Sequence, residues 1–196
     1  MFIPNPIHIL CFGNSLTQGF PINHPYAIAL QDTFQSSSPY ISISTDVQGL
    51  PGDQVVSPPG HYLPRLDILY VDTVFEYLMK AWDYALSRGT QVLALTVPEC
   101  GACSPELDQR RDYLNDMIRA HQAENFHVLD LHDSIPYWSM SEEERKRIWI
   151  DGVHFTEEGY DRMGALIGGE LHRLMFGRES KNEQGQGQKY MMFQKR

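Results

Sequence analysis

Ser15 and the pair Asp151 and His154 are the residues whose types and spacing suggest chemistry. Ser15 lies in "CFGNSLTQG" (11–19), where an apolar run from Ile7 to Phe12 gives way to a glycine, an amide and a hydroxyl. The spacing Gly13-x-Ser15-x-x-x-Gly19 matches neither Gly-x-x-x-x-Gly-Lys nor Gly-x-Gly-x-x-Gly, so a phosphate cradle is a poor reading and a nucleophile a better one. A serine hydroxyl needs a base to take its proton, and the base needs a third group to hold it. Eight histidines are available. His8, His24, His121, His127 and His132 fall in or beside candidate strands and helices. His154 differs: in "WIDGVHFTEEGY" it follows Asp151 by three positions. That spacing lets a carboxylate accept a hydrogen bond from one ring nitrogen while the other faces outward. Gly152 gives the turn its freedom. Taken singly, each segment also has a plain structural reading, with Asn14 and Ser15 capping a helix, Asp151 capping a turn and His154 a surface histidine. Their joint occurrence favours the chemistry.

The elements that would position these residues alternate. "IHILCF" (7–12), "ISISTDVQ" (41–48), "QVLALTVP" (91–98) and "FHVLDLH" (126–132) read as strands, and "LDILYV" (66–71) as another. Helices are expected over 24–35, over 72–89 with Gly89 as a stop, and over 104–122 with Ser104 as cap and Pro105 at the first position. The last helix, about Thr156 to Met175, has Thr156 as cap and two glutamates at its positive end. Such alternation implies a parallel sheet covered by helices, with sites at the carboxyl ends of strands. Ser15 stands just past one such end.

Composition limits the partners. The chain has 196 residues, 42% of them hydrophobic, enough for one domain with a sizeable core. Residues 1–176 are expected to form that domain. Residues 177–196, rich in Gly and Gln, read as a flexible polar tail. A formal charge of -9, with scattered Lys and Arg, offers no surface for nucleic acid or anionic membranes. No run approaches the roughly 20 apolar residues of a membrane span, and the opening residues lack a basic leader pattern, so a cytoplasmic location is expected. Three cysteines are an odd count, which argues against a disulfide framework. Cys100 and Cys103, without a second pair or a histidine at ligand spacing, read as loop thiols and not as a zinc site.

"FGNSLTQG" together with "DGVHFTEEGY" resembles the GDSL-type, or SGNH, hydrolase family of esterases and lipases, with Asn14 where the motif usually has Asp. The resemblance covers about residues 7–175. It implies a three-layer α/β/α sandwich with a flavodoxin-like parallel sheet, and hydrolysis of small acyl or acetyl esters without a cofactor. By the same resemblance Ser15 is the nucleophile, His154 the base and Asp151 its orienter. Gly52 in "VQGLPGDQV" matches the glycine whose N–H joins that of Ser15 in holding the oxyanion, although Gly49 and Gly52 also read as ordinary turn glycines. Without Gly-x-Ser-x-Gly, an α/β-hydrolase is disfavoured.

The family's Gly-x-Asn-Asp block is missing. The expected strand "LDILYV" runs directly into Asp72 and Thr73; an ionised Asp72 cannot donate to an oxyanion, which leaves Thr73 as a substitute donor of shorter reach. Asn115 and Asn125 fall in a helix and before a strand. Either the strand end has been lost, through splicing or a faulty gene model, or the protein works with two donors. Three readings therefore compete: a serine esterase, a catalytically impaired relative that binds a ligand in the same cleft, and a flavodoxin-like nucleotide binder, which lacks its glycine pattern.

Overall fold

The computed structural model describes residues 6–52 and 68–177. Most of the tail expected over 177–196 lies outside the described residues. Strand β1 (Ile7–Gly13) turns into a single-turn helix α1 (Ser15–Gln18), followed by α2 (Ala27–Ser37) and β2 (Ile43–Gly49). Then come α3 (Ile68–Ser87), β3 (Val92–Leu95), α4 (Pro105–Ala120) and β4 (Phe126–Leu129). The short helices α5 (Leu131–Ser134) and α6 (Glu142–Ile148) lead to α7 (Glu157–Phe176).

Both strand pairs are parallel. β1 pairs β2 from Ile7 with Ile43 to Gly13 with Gly49, and β3 pairs β4 from Val92 with Phe126 to Leu95 with Leu129. Parallel neighbours need a crossover, which α2 and α4 supply. Among the described residues the strands form two separate two-stranded ladders. The layers are those of an α/β/α sandwich. Leu93, Leu95 and Leu129 face a core shared with α2 and α7, while Val92, Ala94 and Val128 face Phe75, Leu78, Trp82 and Ile118 of α3 and α4. On β1, Ile9 and Cys11 point into the first core, whereas Leu10 and Phe12 on the other face are 61% and 69% exposed.

One expected element is corrected. From Ile68 onward "LDILYV" is the first turn of α3 and not a strand, while Leu66 and Asp67 lie outside the described residues. The reason is the spacing of Val71, Phe75, Leu78, Trp82 and Leu86, an unbroken 3–4 repeat; Val71 is buried and the other four face the β3–β4 core. A short apolar run taken alone fits either element, and here the helical stripe extends backward through it. Thr73 therefore sits inside a helix and not at a strand end, has an interaction of its own, and is withdrawn as an oxyanion donor. Asp72 is exposed and accepts a hydrogen bond from Tyr113 Oη at 3.3 Å. Helix caps follow expectation: Ser104 Oγ accepts from Leu107 N, and Thr156 Oγ1 from Gly159 N.

A second correction concerns the cysteines: Cys100 and Cys103 form a disulfide, with Cα atoms 5.5 Å apart. Counting cysteines tests for bridges between distant elements, and a bridge across one turn escapes that test.

An early and a late segment of the chain meet through α2 and α7. A Cβ on Gly164 would lie 2.2 Å from Tyr26 O and 2.7 Å from Leu30 N, and one on Gly168 would lie 2.7 Å from Leu30 O. Both obstacles are backbone, so the two helix axes can approach this closely only with glycine at these positions. Gly164→Ala should destabilise the protein by about 1–3 kcal/mol through overpacking, despite a gain in helix propensity. Gly169→Ala on the same helix, where an added Cβ meets nothing within 4 Å, should stabilise by about 0.5–1 kcal/mol. Urea midpoints of the two variants check this, and equal shifts would show that helix contact does not set the sign.

Candidate active site

Ser15 is the first residue of α1, two residues beyond the end of β1. Asn14 caps that turn, its Oδ1 accepting from Leu16 N at 3.1 Å. Ser15 N–H is thus among the first amides of a helix, which intrahelical bonding leaves without a partner. Gly13 and Gly49 end the paired strands side by side, and Leu50 N donates to Gly13 O.

The second contribution comes from the turn between α6 and α7. Trp149 and Phe155 form an antiparallel bridge, and Ile150 N donates to His154 O at 2.9 Å, closing a tight loop. Gly152 occupies it with φ of 80°. Asp151 Oδ1 accepts from Val153 N at 2.9 Å and His154 N at 2.7 Å, and Oδ2 meets His154 Nδ1 at 2.8 Å. His154 Nε2 then lies 3.2 Å from Ser15 Oγ. Ser15, His154 and Asp151 are brought together in one hydrogen-bonded chain across a separation of 139 residues.

Burial alone would raise the Asp151 carboxyl, but hydrogen bonds from the His154 ring and from the His154 and Val153 amides outweigh it and hold the group below its ordinary value. Asp151 is therefore an anion at neutral pH, suited to accept from Nδ1–H and to leave Nε2 as the acceptor facing Ser15.

Several supporting groups carry no obvious sequence signal. The Phe20 ring stands edge-on to His154 at 5.0 Å. Tyr160 donates from its hydroxyl to Phe20 O at 2.5 Å, and burial pushes this phenol up to about 12. His24 Nε2 reaches Asp161 Oδ1 at 2.7 Å, a second tie between the segment after α1 and α7. Behind the turn, Gly101 N donates to Gly152 O at 2.8 Å. The segment from β3 that carries Gly101 is pinned by Asn115, fully buried, whose amide bonds both Val97 N and Val97 O. Tyr160 lies within the motif around His154, and Gly101 lies between the two cysteines, but neither motif marks its residue as a support for the site.

Gly52 sits after β2 with φ of 75°, exposed, and an added Cβ would meet nothing within 4 Å. Its backbone angle, and not a close approach, is what favours glycine there. The closely packed glycine is Gly49, where a Cβ would lie 2.4 Å from Gln18 N.

No family model matches the chain, and no curated protein sequence matches it. Solved structures do. A member of the lipolytic protein G-D-S-L family from Veillonella parvula superimposes with a TM-score of 0.59 at 22% identity, covering 86% of this chain and 97% of that one. A lipase/acylhydrolase from Enterococcus faecalis gives 0.58 at 20%, covering 85% and 95%. An acetyl xylan esterase gives 0.63 at 16%, covering 84% and 100%. The fold is therefore the α/β/α fold of GDSL-type hydrolases.

Because folding lowers the pKa of Asp151, its carboxylate stabilises the folded chain above the ordinary value of 3.8, and that contribution is lost as pH falls through the folded value. Carbon-13 NMR should find Asp151 titrating below 3.8. In His154→Ala the midpoint should move upward, since a donor to the charged form is gone; an unmoved midpoint would mean the ring does not hold the carboxylate.

Proposed function

We propose that the protein is a serine esterase acting on small acyl or acetyl esters. The observation that carries this reading is the chain from Ser15 Oγ through His154 to Asp151, with distances of 3.2 and 2.8 Å. His154 Nε2 takes the hydroxyl proton as Ser15 Oγ attacks the ester carbonyl. Ser15 N–H and Gly52 N–H are the assigned oxyanion donors. The imidazolium, held by Asp151, then protonates the departing alkoxide and leaves an acyl-serine. Water, deprotonated by His154, releases the acid and restores Ser15. The activities named for the structural neighbours, lipase/acylhydrolase and acetyl xylan esterase, agree with this chemistry. No step calls for a metal or organic cofactor.

A second reading, an impaired relative that binds an ester-like ligand without turning it over, is favoured by one observation. Residues 68–71 are helical, so the expected strand end that would carry a third, side-chain donor is not formed there. One missing oxyanion donor costs about 10²- to 10³-fold in turnover.

Fluorophosphonate labelling separates the two readings, because it requires an activated serine. Labelling should occur on Ser15 and vanish in Ser15→Ala. Hydrolysis of p-nitrophenyl acetate should fall by roughly 10⁴-fold or more in Ser15→Ala and His154→Ala, and by less in Asp151→Asn, where the imidazole remains. Activated esters should be turned over far better than alkyl esters, because a good leaving group demands less of the oxyanion site. Absence of labelling in the folded parent protein would favour the binding-only reading.

A further inference from the structure

The Cys100–Cys103 disulfide lies directly behind the turn that holds Asp151 and His154. Its loop carries Gly101, whose N–H donates to Gly152 O at 2.8 Å. The contact is tight on both sides: a Cβ on Gly152 would lie 3.2 Å from Gly101 C and Ala102 N, and one on Gly101 would overlap the Tyr137 ring. Glu99, next in the chain, accepts from Tyr137 N at 2.5 Å and Trp138 N at 2.8 Å, so the loop is fixed up to the first cysteine. From Cys100 onward the bridge itself closes the turn.

The two sulfurs differ. Cys100 is 3% exposed, whereas Cys103 is half-buried and receives a contact from Arg111 Nη2 at 3.2 Å. Cys103 also stands immediately before Ser104, the N-cap of α4. A guanidinium and a helix N-terminus both favour a thiolate. Asp108, which shares Arg111, and Glu106 on the first turn of α4 oppose it in part.

We propose that Cys100–Cys103 is a thiol–disulfide exchange site for small thiols, coupled to the Asp151–His154 turn, and that the bonded form is the one competent for hydrolysis. An external thiolate attacks Cys103 Sγ, giving a mixed disulfide and releasing Cys100 as a thiolate that takes a proton. A second thiolate attacks the external sulfur of that mixed disulfide and expels the Cys103 thiolate beside Arg111. Two thiols are oxidised to one disulfide as the protein bridge is reduced to two thiols, and an external disulfide reverses both steps. The bridge spans a sequence separation of 3, so opening it affects overall stability little and acts locally. With the bridge open, Gly101 loses the constraint that aims its N–H at Gly152 O. The turn that sets His154 against Ser15 then loosens.

This inference rests on the esterase reading for its consequence but not for its detection. The full chain is titrated with dithiothreitol without denaturant, and each sample is divided for alkylation mass spectrometry, amide hydrogen exchange and p-nitrophenyl acetate hydrolysis. Cys11, 3% exposed, reports on unfolding by staying unmodified. Reduction should expose two alkylatable thiols, speed exchange in the peptide containing 149–155, and lower kcat roughly tenfold, less than the 10²-fold that about 1 Å of misplacement can cost. Glutathione disulfide should restore all three. Cys100→Ser/Cys103→Ser should behave as the reduced protein whatever the thiol concentration. Full alkylation of Cys100 and Cys103 with unchanged exchange and turnover would overturn the proposal, as would a bridge that dithiothreitol cannot open in the folded chain. A protein that hydrolyses no ester in either state would refute the esterase reading instead, and exchange at 149–155 would still decide the coupling, faster exchange supporting it and unchanged exchange overturning it.

Discussion

The glycine-mediated contact between α2 and α7 is the constraint on which the rest of the structure depends. Ser15 and His154 are 139 residues apart and meet at 3.2 Å, and the elements that follow each of them pack against one another. α2 follows the Ser15 turn, α7 follows the His154 turn, and Gly164 and Gly168 let their backbones touch. Tyr160, in the first turn of α7, is fully buried and bonds the backbone at Phe20; His24 and Asp161 add an ion pair or hydrogen bond nearby. A buried aromatic ring is worth several times a surface ion pair, so packing sets the position and the polar ties set the angle.

Within the site, precision comes from backbone amides as much as from side chains. Asp151 is 46% exposed in its side chain, too open for burial to fix it. Two amides of its own turn hold one oxygen, which leaves the other aimed at Nδ1. The ring of Trp149 packs against Phe155 at 4.3 Å, tilted by 52°, beneath that turn, and Phe155 leads on to Tyr160 at 5.5 Å. The apolar floor thus connects the turn to the same α7 residue that ties down Phe20.

The carboxyl ends of two strands converge here for different purposes. β1 ends in the turn that presents Ser15. β3 continues through Thr96, whose hydroxyl donates to Asp130 and accepts from His132 N, and through Val97, held by Asn115. Its extension delivers Gly101 to the back of the His154 turn. Parallel strands gather the loops that leave their carboxyl ends, and the two ladders bring such loops to one place, which is why residues far apart in sequence can share one small site.

The sequence by itself determined the elements with strong local signals and singled out three side chains that the fold then brings together. Caps at Ser104 and Thr156, and the hydroxyl, imidazole and carboxylate in their two short motifs, are local facts, legible because a helix cap or an Asp-x-x-His turn is decided within a few residues. Where local signals are ambiguous the reading failed, as at 68–71, where a short apolar run was resolved only by the face that α3 turns toward β3 and β4. The disulfide was missed because whether two thiols bond depends on the path of the loop between them, not on their number. Tertiary structure alone decided that Phe20 would flank His154, that Tyr160 would hold Phe20, and that Gly101 would support Gly152. Each of these joins segments whose separation in sequence carries no distance information until packing of the helices against the strands fixes it.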